Sequence, residues 1–324
     1  MDPTIGDNVD GEDLVIRRAA VDALGMQNGS VVVVDPSSGR VLTMVNQKLA
    51  LQSGFIPCST IKLVTALAAL SEHVVERDTL IRLGRYTSMD LTTALAHSNN
   101  DYFGKLGTKL GFESVIRYAR MMGLGEKAGL DIAGEQAGEV ATEAPKYGGM
   151  VLLTAFGEGF QVTPLELAAL LSAIANGGTL YYLQHPLTSE DIDHFTPQVK
   201  RQLELAPNGI TDIKVGMRGA VEYGTAQRAA YDPSEPVLGK TGTCTDFRAA
   251  SYMGWFGSFN EVGAHKLVVV VMLTSPVKSV NGGVASGVAG ALYRSLSSQR
   301  YFAVDAARQT DLPDILVTKP CCEQ

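Results

Sequence analysis

The sequence predicts an α+β fold in which strands from the two ends of the chain meet and a long helical stretch is inserted between them. Three observations carry this. β-Branched runs stand early, at Ser30-Val-Val-Val-Val and Val41-Leu-Thr-Met-Val. The β signal then fades between about residues 74 and 207, where helical spacing takes over. Strand-like runs resume at Val237–Thr241, Ala250–Gly257 and Lys266–Thr274. A chain ordered this way builds two lobes around one crevice, a common place for a ligand.

The first element is a helix over Asp13–Leu24, where Leu14, Val15, Ala19, Ala20, Ala23 and Leu24 recur near helical spacing. The two early strands flank Ser37-Ser-Gly-Arg, a glycine-containing turn, and so read as a hairpin. From Thr60 to Leu70 the residues Ile61, Leu63, Val64, Leu67, Ala68 and Leu70 are apolar nearly all round, which makes a buried helix. Ser59 stands at its N-cap position, with Pro57 just before it. Helices follow at Leu91–Ala96, Tyr102–Leu110, Glu113–Met122 and Pro164–Asn176, the last stopped by Asn176-Gly-Gly. A final helix runs from Gly287 to Leu296, and the residues after about Val304 read as an extension that need not pack. The organisation expected is a sheet lobe of about 13–73 and 208–303, a helical lobe of about 74–207 and an extension over 304–324.

Composition narrows the function classes. The 324 residues are 45% hydrophobic and 19% charged, which excludes disorder and a disulfide-stapled miniprotein. The net charge is −7 and the lysines and arginines are scattered, so no nucleic-acid footprint is present. The longest apolar run, Leu267–Leu273, is far short of the roughly 20 residues that cross a bilayer, and the acidic start is unlike a signal peptide. The four cysteines, Cys58, Cys244, Cys321 and Cys322, lack paired metal-ligand spacing.

Three short motifs carry chemistry. Ser59-Thr-Ile-Lys62 puts a hydroxyl at the start of a buried helix and an amine one turn later on the same face, an arrangement that suits a nucleophile and its base. Burial and a neighbouring cation would bring the lysine towards the neutral form it needs. Ser98-Asn-Asn100 lies in a polar break between two helices, where a hydroxyl and a carboxamide can relay a proton and hold a substrate amide. Each of these patterns recurs, at Ser275–Lys278 and at Ser258–Asn260 and Ser279–Asn281, and a capping serine explains any one of them alone. Lys240-Thr-Gly-Thr243 is the specific signal. Its lysine and hydroxyls suit a carboxylate, and its glycine lets a flat ligand approach the strand edge.

The order of the motifs, with Ser98 following Ser59 by 39 residues and Lys240 following Ser98 by 142, resembles the penicillin-binding protein transpeptidase family. These serine acyltransferases share their three motifs with the serine β-lactamases. The likeness runs from about Gly29 to Leu296 and includes Val34-Asp-Pro-Ser-Ser-Gly-Arg-Val-Leu, Ala96-His-Ser-Asn-Asn-Asp-Tyr-Phe, Phe156-Gly-Glu-Gly-Phe-Gln-Val-Thr-Pro and Tyr223-Gly-Thr-Ala. It implies an antiparallel five-stranded sheet covered by helices, with the active site in the crevice against the helical lobe. It also implies a peptidoglycan D,D-transpeptidase that needs no cofactor and no metal. Ser59 would attack the carbonyl between two D-alanines, Lys62 would be the base, Ser98 would pass a proton to the leaving group, and Lys240 would complete the catalytic set. Asn100 would bind the substrate amide, Lys240, Thr241 and Thr243 would hold the terminal carboxylate, and Gly242 would let the substrate approach the strand edge, with the Ser59 and Thr243 N–H groups as the oxyanion hole. Stem peptides and β-lactams are the ligands implied, other cell-wall synthesis proteins the partners, and the extracytoplasmic face of the bacterial inner membrane the location.

Two departures from the family bear on this. Members of class B carry a membrane helix and a pedestal ahead of the transpeptidase, so the chain reads as an excised domain or a minimal relative. Cys58 stands where these enzymes usually have glycine, and Cys244 directly follows Lys-Thr-Gly-Thr. Those offsets resemble the disulfide beside the active site of class A carbapenem-hydrolysing β-lactamases and imply a Cys58–Cys244 bond, the alternative being two small buried thiols. Cys321 and Cys322 read as an exposed tail pair. The rival functions are a serine β-lactamase, disfavoured because Glu135, Glu139, Glu143, Glu158 and Glu166 all lack a following Leu-Asn pattern, and a sensor or scaffold domain that is acylated without turnover.

Overall fold

The computed structural model describes residues 2–247 and 249–303, so the extension over 304–324, with Cys321 and Cys322, lies outside the described residues. The strands are β1 (Gly29–Val34), β2 (Val41–Val45), β3 (Ile81–Arg82), β4 (Ser88–Met89), β5 (Thr179–Tyr181), β6 (Val199–Gln202), β7 (Val237–Asp246), β8 (Ser251–Asn260) and β9 (Val268–Ser275). The helices are α1 (Leu14–Leu24), α2 (Gln47–Ala50), α3 (Lys62–Ser71), α4 (Leu91–Ala96), α5 (Asn100–Leu110), α6 (Phe112–Met121), α7 (Gly149–Val151), α8 (Pro164–Asn176), α9 (Ser189–Asp193), α10 (Gly209–Glu222) and α11 (Gly282–Ser298). No helix among the described residues is long and apolar enough to cross a membrane.

The sheet is antiparallel and five-stranded, in the order β2-β1-β9-β8-β7, and so joins the two ends of the chain: Val31 stands opposite both Val45 and Val271. Successive residues of a strand face opposite sides. Val31 and Val33, with Val269 and Val271, pack on Ile16 and Ala20 of α1 and on Ala289 and Leu292 of α11. Val32 and Val34, with Val268 and Val270, belong to the core that holds Leu67 of α3 and Leu167 and Leu171 of α8. Burial on both faces is why these strands read as unbroken apolar runs.

Several elements differ from the sequence expectations. β7 continues to Asp246, and α11 starts at Gly282, capped by Asn281, whose side chain accepts the Val284 N–H. Two small two-stranded sheets, β3–β4 and β5–β6, interrupt the helical region. Their strands of two to four residues are too short to show alternation. α10 was not expected, because Gly209, Gly216 and Gly219 give it poor intrinsic propensity. Gly216 has a packing role: a Cβ there would lie 2.6 Å from Leu95 Cβ, so its absence lets α10 press against α4, the helix that leads to Ser98.

Ser59 is not an N-cap. It lies inside a 3₁₀ turn, Cys58–Ile61, that precedes α3, with Thr60 Oγ1 donating to Pro57 O at 2.7 Å. This turn is tied to the sheet three times. Trp255 Nε1 of β8 donates to Ile56 O at 3.0 Å. Gly242 of β7 packs so closely that a Cβ would lie 2.9 Å from Pro57 O and 3.3 Å from Cys58 Cβ. Cys58 and Cys244 form a disulfide, their Cα atoms 5.5 Å apart.

Cys58 also has φ +52°, the left-handed region that only glycine enters without cost. Replacing it separates the two effects. Cys58→Ala and Cys58→Gly each lose the crosslink, and each is expected to lose about 2–4 kcal/mol of stability in urea titrations under oxidising conditions. Cys58→Gly should retain about 1 kcal/mol more than Cys58→Ala. Equal midpoints for the two variants would mean that residue 58 is not held left-handed.

Candidate active site

The three motifs converge at one place although they come from distant parts of the chain. α3 begins at Lys62, whose stem is wholly buried, because the apolar surroundings of that helix leave the side chain no path to water. The 97–99 loop after α4 brings in Ser98, and β7, the edge strand of the sheet, brings in Lys240. Lys62 Nζ lies 2.6 Å from Ser98 O, 3.1 Å from Ser98 Oγ and 2.6 Å from Asn100 Oδ1. Lys240 Nζ lies 2.7 Å from the same Ser98 Oγ and 3.0 Å from Thr241 O. A single hydroxyl thus sits between two lysine amines, both of which are 0% exposed.

Burial decides the charge of this pair. Moving an ammonium out of water disfavours its charged form, and desolvation brings Lys62 down to about 7. Lys240 is pushed well below the usual lysine range, by desolvation first and by the nearby Lys62 second. A neutral amine keeps two donors and one lone pair. At Lys62 the two short contacts, to Ser98 O and Asn100 Oδ1, can take the donors, which leaves the lone pair as a proton acceptor. The face of Phe103, its centroid 5.5 Å from Nζ, stabilises the protonated form that follows.

Ser98 owes its reach to its backbone. With φ +54° it is in the left-handed region, so that both its carbonyl and its hydroxyl meet Lys62. The loop is pinned on either side: Asn99 Oδ1 caps α5 by accepting Tyr102 N–H at 2.8 Å, and Ala96 O accepts the Thr225 N–H at 3.1 Å. Two non-glycine residues with positive φ, Cys58 and Ser98, therefore flank the centre, where such strain, about 1–3 kcal/mol each, tends to be functional.

Three findings add to the sequence reading. Ser59 Oγ donates to Ala155 O at 3.3 Å, and among the described residues no hydrogen bond joins it to Lys62. Ala155 lies in a π-helical turn, Leu152–Phe156, that nothing in the sequence had marked. Gly242 turns its bare Cα to the serine turn and to Trp255, so packing between the motifs also requires a glycine there. Asn100 has its Oδ1 on Lys62, which leaves its NH₂ as the end that can donate to a ligand. The look-alike motifs are elsewhere: Ser258 is buried in β8, and Ser275 ends β9 with its hydroxyl accepting from Ser279.

Thr243 is exposed on the edge strand, and its Oγ1 accepts the Gly282 N–H at 2.8 Å. Thr241 is 5% exposed, with its hydroxyl 2.6 Å from that of Thr225. Chemically, the centre offers a half-buried alcohol, a buried amine poised near neutrality, a hydroxyl that bridges to a second amine, and hydroxyl donors along a strand edge. This is the equipment of nucleophilic acyl transfer.

Residues 29–294 match the family model described as the penicillin binding protein transpeptidase domain. Stage V sporulation protein D of Bacillus subtilis is 30% identical over 292 residues, covering 81% of this chain and 44% of that protein. Peptidoglycan D,D-transpeptidase FtsI of Escherichia coli is 24% identical over 333 residues, covering 90% of this chain and 55% of that protein. The chain thus spans about half the length of these relatives. Among solved structures, Pseudomonas aeruginosa PBP2 in complex with WCK 5153 superposes with a TM-score of 0.76 at 23% identity, over 92% of this chain and 80% of that one. The transpeptidase domain of Burkholderia pseudomallei penicillin-binding protein 3 gives 0.75 at 21% identity, over 90% and 96%. Both share the fold. With four-fifths of its length matched by the family model, this chain belongs to the penicillin-binding protein transpeptidase domain family.

Proposed function

We propose that this chain is a serine D,D-transpeptidase domain acting on D-alanyl-D-alanine stem peptides of peptidoglycan, with residues 1–303 as the catalytic unit. The observation that carries the reading is the row Lys62 Nζ, Ser98 Oγ and Lys240 Nζ, linked at 3.1 and 2.7 Å beside the Ser59 turn. Ser59 Oγ first swings from the Ala155 carbonyl towards Lys62. As Oγ attacks the carbonyl carbon, its proton passes to the Lys62 lone pair and an oxyanion forms, held by the Ser59 and Thr243 N–H groups. Collapse breaks the carbon–nitrogen bond. The departing D-alanine amine takes a proton from Ser98 Oγ, which is refilled by the proton that Lys62 took from Ser59. The acyl group is left as an ester on Ser59. An amine from a second stem peptide then attacks the ester carbonyl and gives up a proton to Lys62. As the ester carbon–oxygen bond breaks, that proton returns to Ser59 Oγ, leaving an amide between the two peptides. Asn100 donates to the substrate amide carbonyl.

β-Lactams enter the same route and stop at the ester. The one glutamate with a strongly raised carboxyl, Glu166, sits away from Ser59: it is buried at the start of α8 and accepts backbone N–H groups of Thr163, Gly125 and Gly138. The Cys58–Cys244 bond supports a place outside the cytoplasmic membrane, where disulfides persist.

Acylation by a fluorescent penicillin tests the reading. Wild-type protein should label and keep the label for many minutes, and Ser59→Ala should not label. Release within seconds would turn the assignment to a β-lactamase, and wild-type protein that never labels would remove it. Because the neutral amine of Lys62 is the base and that group titrates at about 7, the limiting acylation rate should climb with pH through a midpoint near 7 and level off above it. A rate that stays flat from about pH 5.5 to 8.5 would rule out Lys62 as the base.

A further inference from the structure

The turn Tyr223-Gly224-Thr225-Ala226 touches two of the three motifs. Thr225 N–H donates to Ala96 O, two residues before Ser98, and a Cβ on Gly224 would collide with that same carbonyl. On its other side Thr225 Oγ1 meets Thr241 Oγ1 at 2.6 Å. The turn therefore fits between the Ser98 loop and β7, and presents a hydroxyl at the site where the strand motif was expected to hold a carboxylate.

The two hydroxyls are not equivalent. Thr241 is 5% exposed, whereas Thr225 is an exposed residue. Each hydroxyl has one proton to give. If Thr225 gave its proton to Thr241, the recipient's own proton would remain on the buried side of the pair. With Thr241 as donor, the free proton belongs to Thr225, the exposed member of the pair, and is available to a ligand. Thr243 completes the pattern. It lies two residues along the strand from Thr241, hence on the same face, is exposed, and accepts the Gly282 N–H, so that its own proton is also free for a ligand. Neither lysine competes for this role, since both are 0% exposed and hydrogen-bonded to Ser98.

We propose that Thr225 is a substrate-binding residue whose hydroxyl, together with that of Thr243, holds the terminal carboxylate of the acyl donor, while Thr241 orients Thr225 from behind. This deepens the acyl-transfer reading and rests on it. Thr241 then acts as a positioning residue, and one of the carboxylate contacts assigned to the strand passes to a turn that lies outside all three motifs.

The test uses benzylpenicillin and its methyl ester, with acyl-enzyme measured by mass spectrometry as a function of ligand concentration for wild type, Thr225→Val and Thr225→Ser. For benzylpenicillin, Thr225→Val should raise the half-saturating concentration about tenfold, with the limiting acylation rate changed by less than about twofold. Thr225→Ser keeps the hydroxyl and should stay within about twofold of wild type on both counts. The methyl ester lacks the anionic carboxylate and should give the same half-saturating concentration for Thr225→Val as for wild type. Acid and ester shifting together would show that Thr225 only shapes the site, and an unchanged Thr225→Val would remove the proposal while the acyl-transfer reading stood. Wild-type protein that is never acylated would overturn both.

Discussion

The structure depends on placing two lysine amines in the protein interior within reach of one hydroxyl. Each burial disfavours a charge, and the two amines also repel one another when both are protonated. The fold tolerates this because the pair need not carry two charges: Lys62 titrates at about 7, and Lys240 is pushed well below its usual range. What remains is a polar cluster whose members satisfy one another through Ser98, Asn100 and the Thr241 carbonyl. The same desolvation that costs stability makes a base available near neutral pH, so the energetic burden and the chemistry have a single cause.

Around this cluster, the geometry is over-determined. The serine turn is held by Trp255, by the close approach of Gly242 and by the disulfide, all from the sheet side, and Ser59 reaches Ala155 on the helical side. The Ser98 loop is held by Asn99 within its own segment and by the Thr225 turn packed against it. Left-handed backbone at Cys58 and Ser98 is what these restraints sustain. Such positions persist only where the surroundings fix them, and here the surroundings are the elements that carry the reacting groups.

Much of this was legible in the sequence, for identifiable reasons. Pro164–Asn176 was readable to the residue because Thr163 and Glu166 form a capping box and Gly177 terminates the helix, both local signals. The valine runs of β1 and β9 announced a sheet buried on both faces. The motif residues Lys62, Ser98, Asn100 and Lys240 do meet, because their identities mark them whatever the fold between them. What could not be read were contacts set by tertiary approach. Ala155 contributes only a carbonyl, which every residue has, so no letter marks it. The packing of Gly242 could not be read because Pro57 and Cys58, two of the three groups nearest its bare Cα, are nearly two hundred positions away. Ser59 looked like a cap because serine before an apolar run usually is one, and the 3₁₀ turn that displaces it has no sequence signature of its own.

The strand order has a consequence for how the chain can reach this state. β1 sits between β2 and β9, so one whole side of an early strand, Gly29 to Val34, stays without its partner until residues 268 to 273 exist. Nearly the entire chain must be made before the sheet can close, while the helices between can begin on local contacts alone. In that interval the apolar hairpin of β1 and β2 carries an open edge, the kind of surface that pairs with the wrong strand. The cluster of Lys62, Ser98 and Lys240 is therefore completed only once β7 has been made. The Ser59 turn is made early, but β7, which packs on it, and the strands that support β7 all come after residue 236.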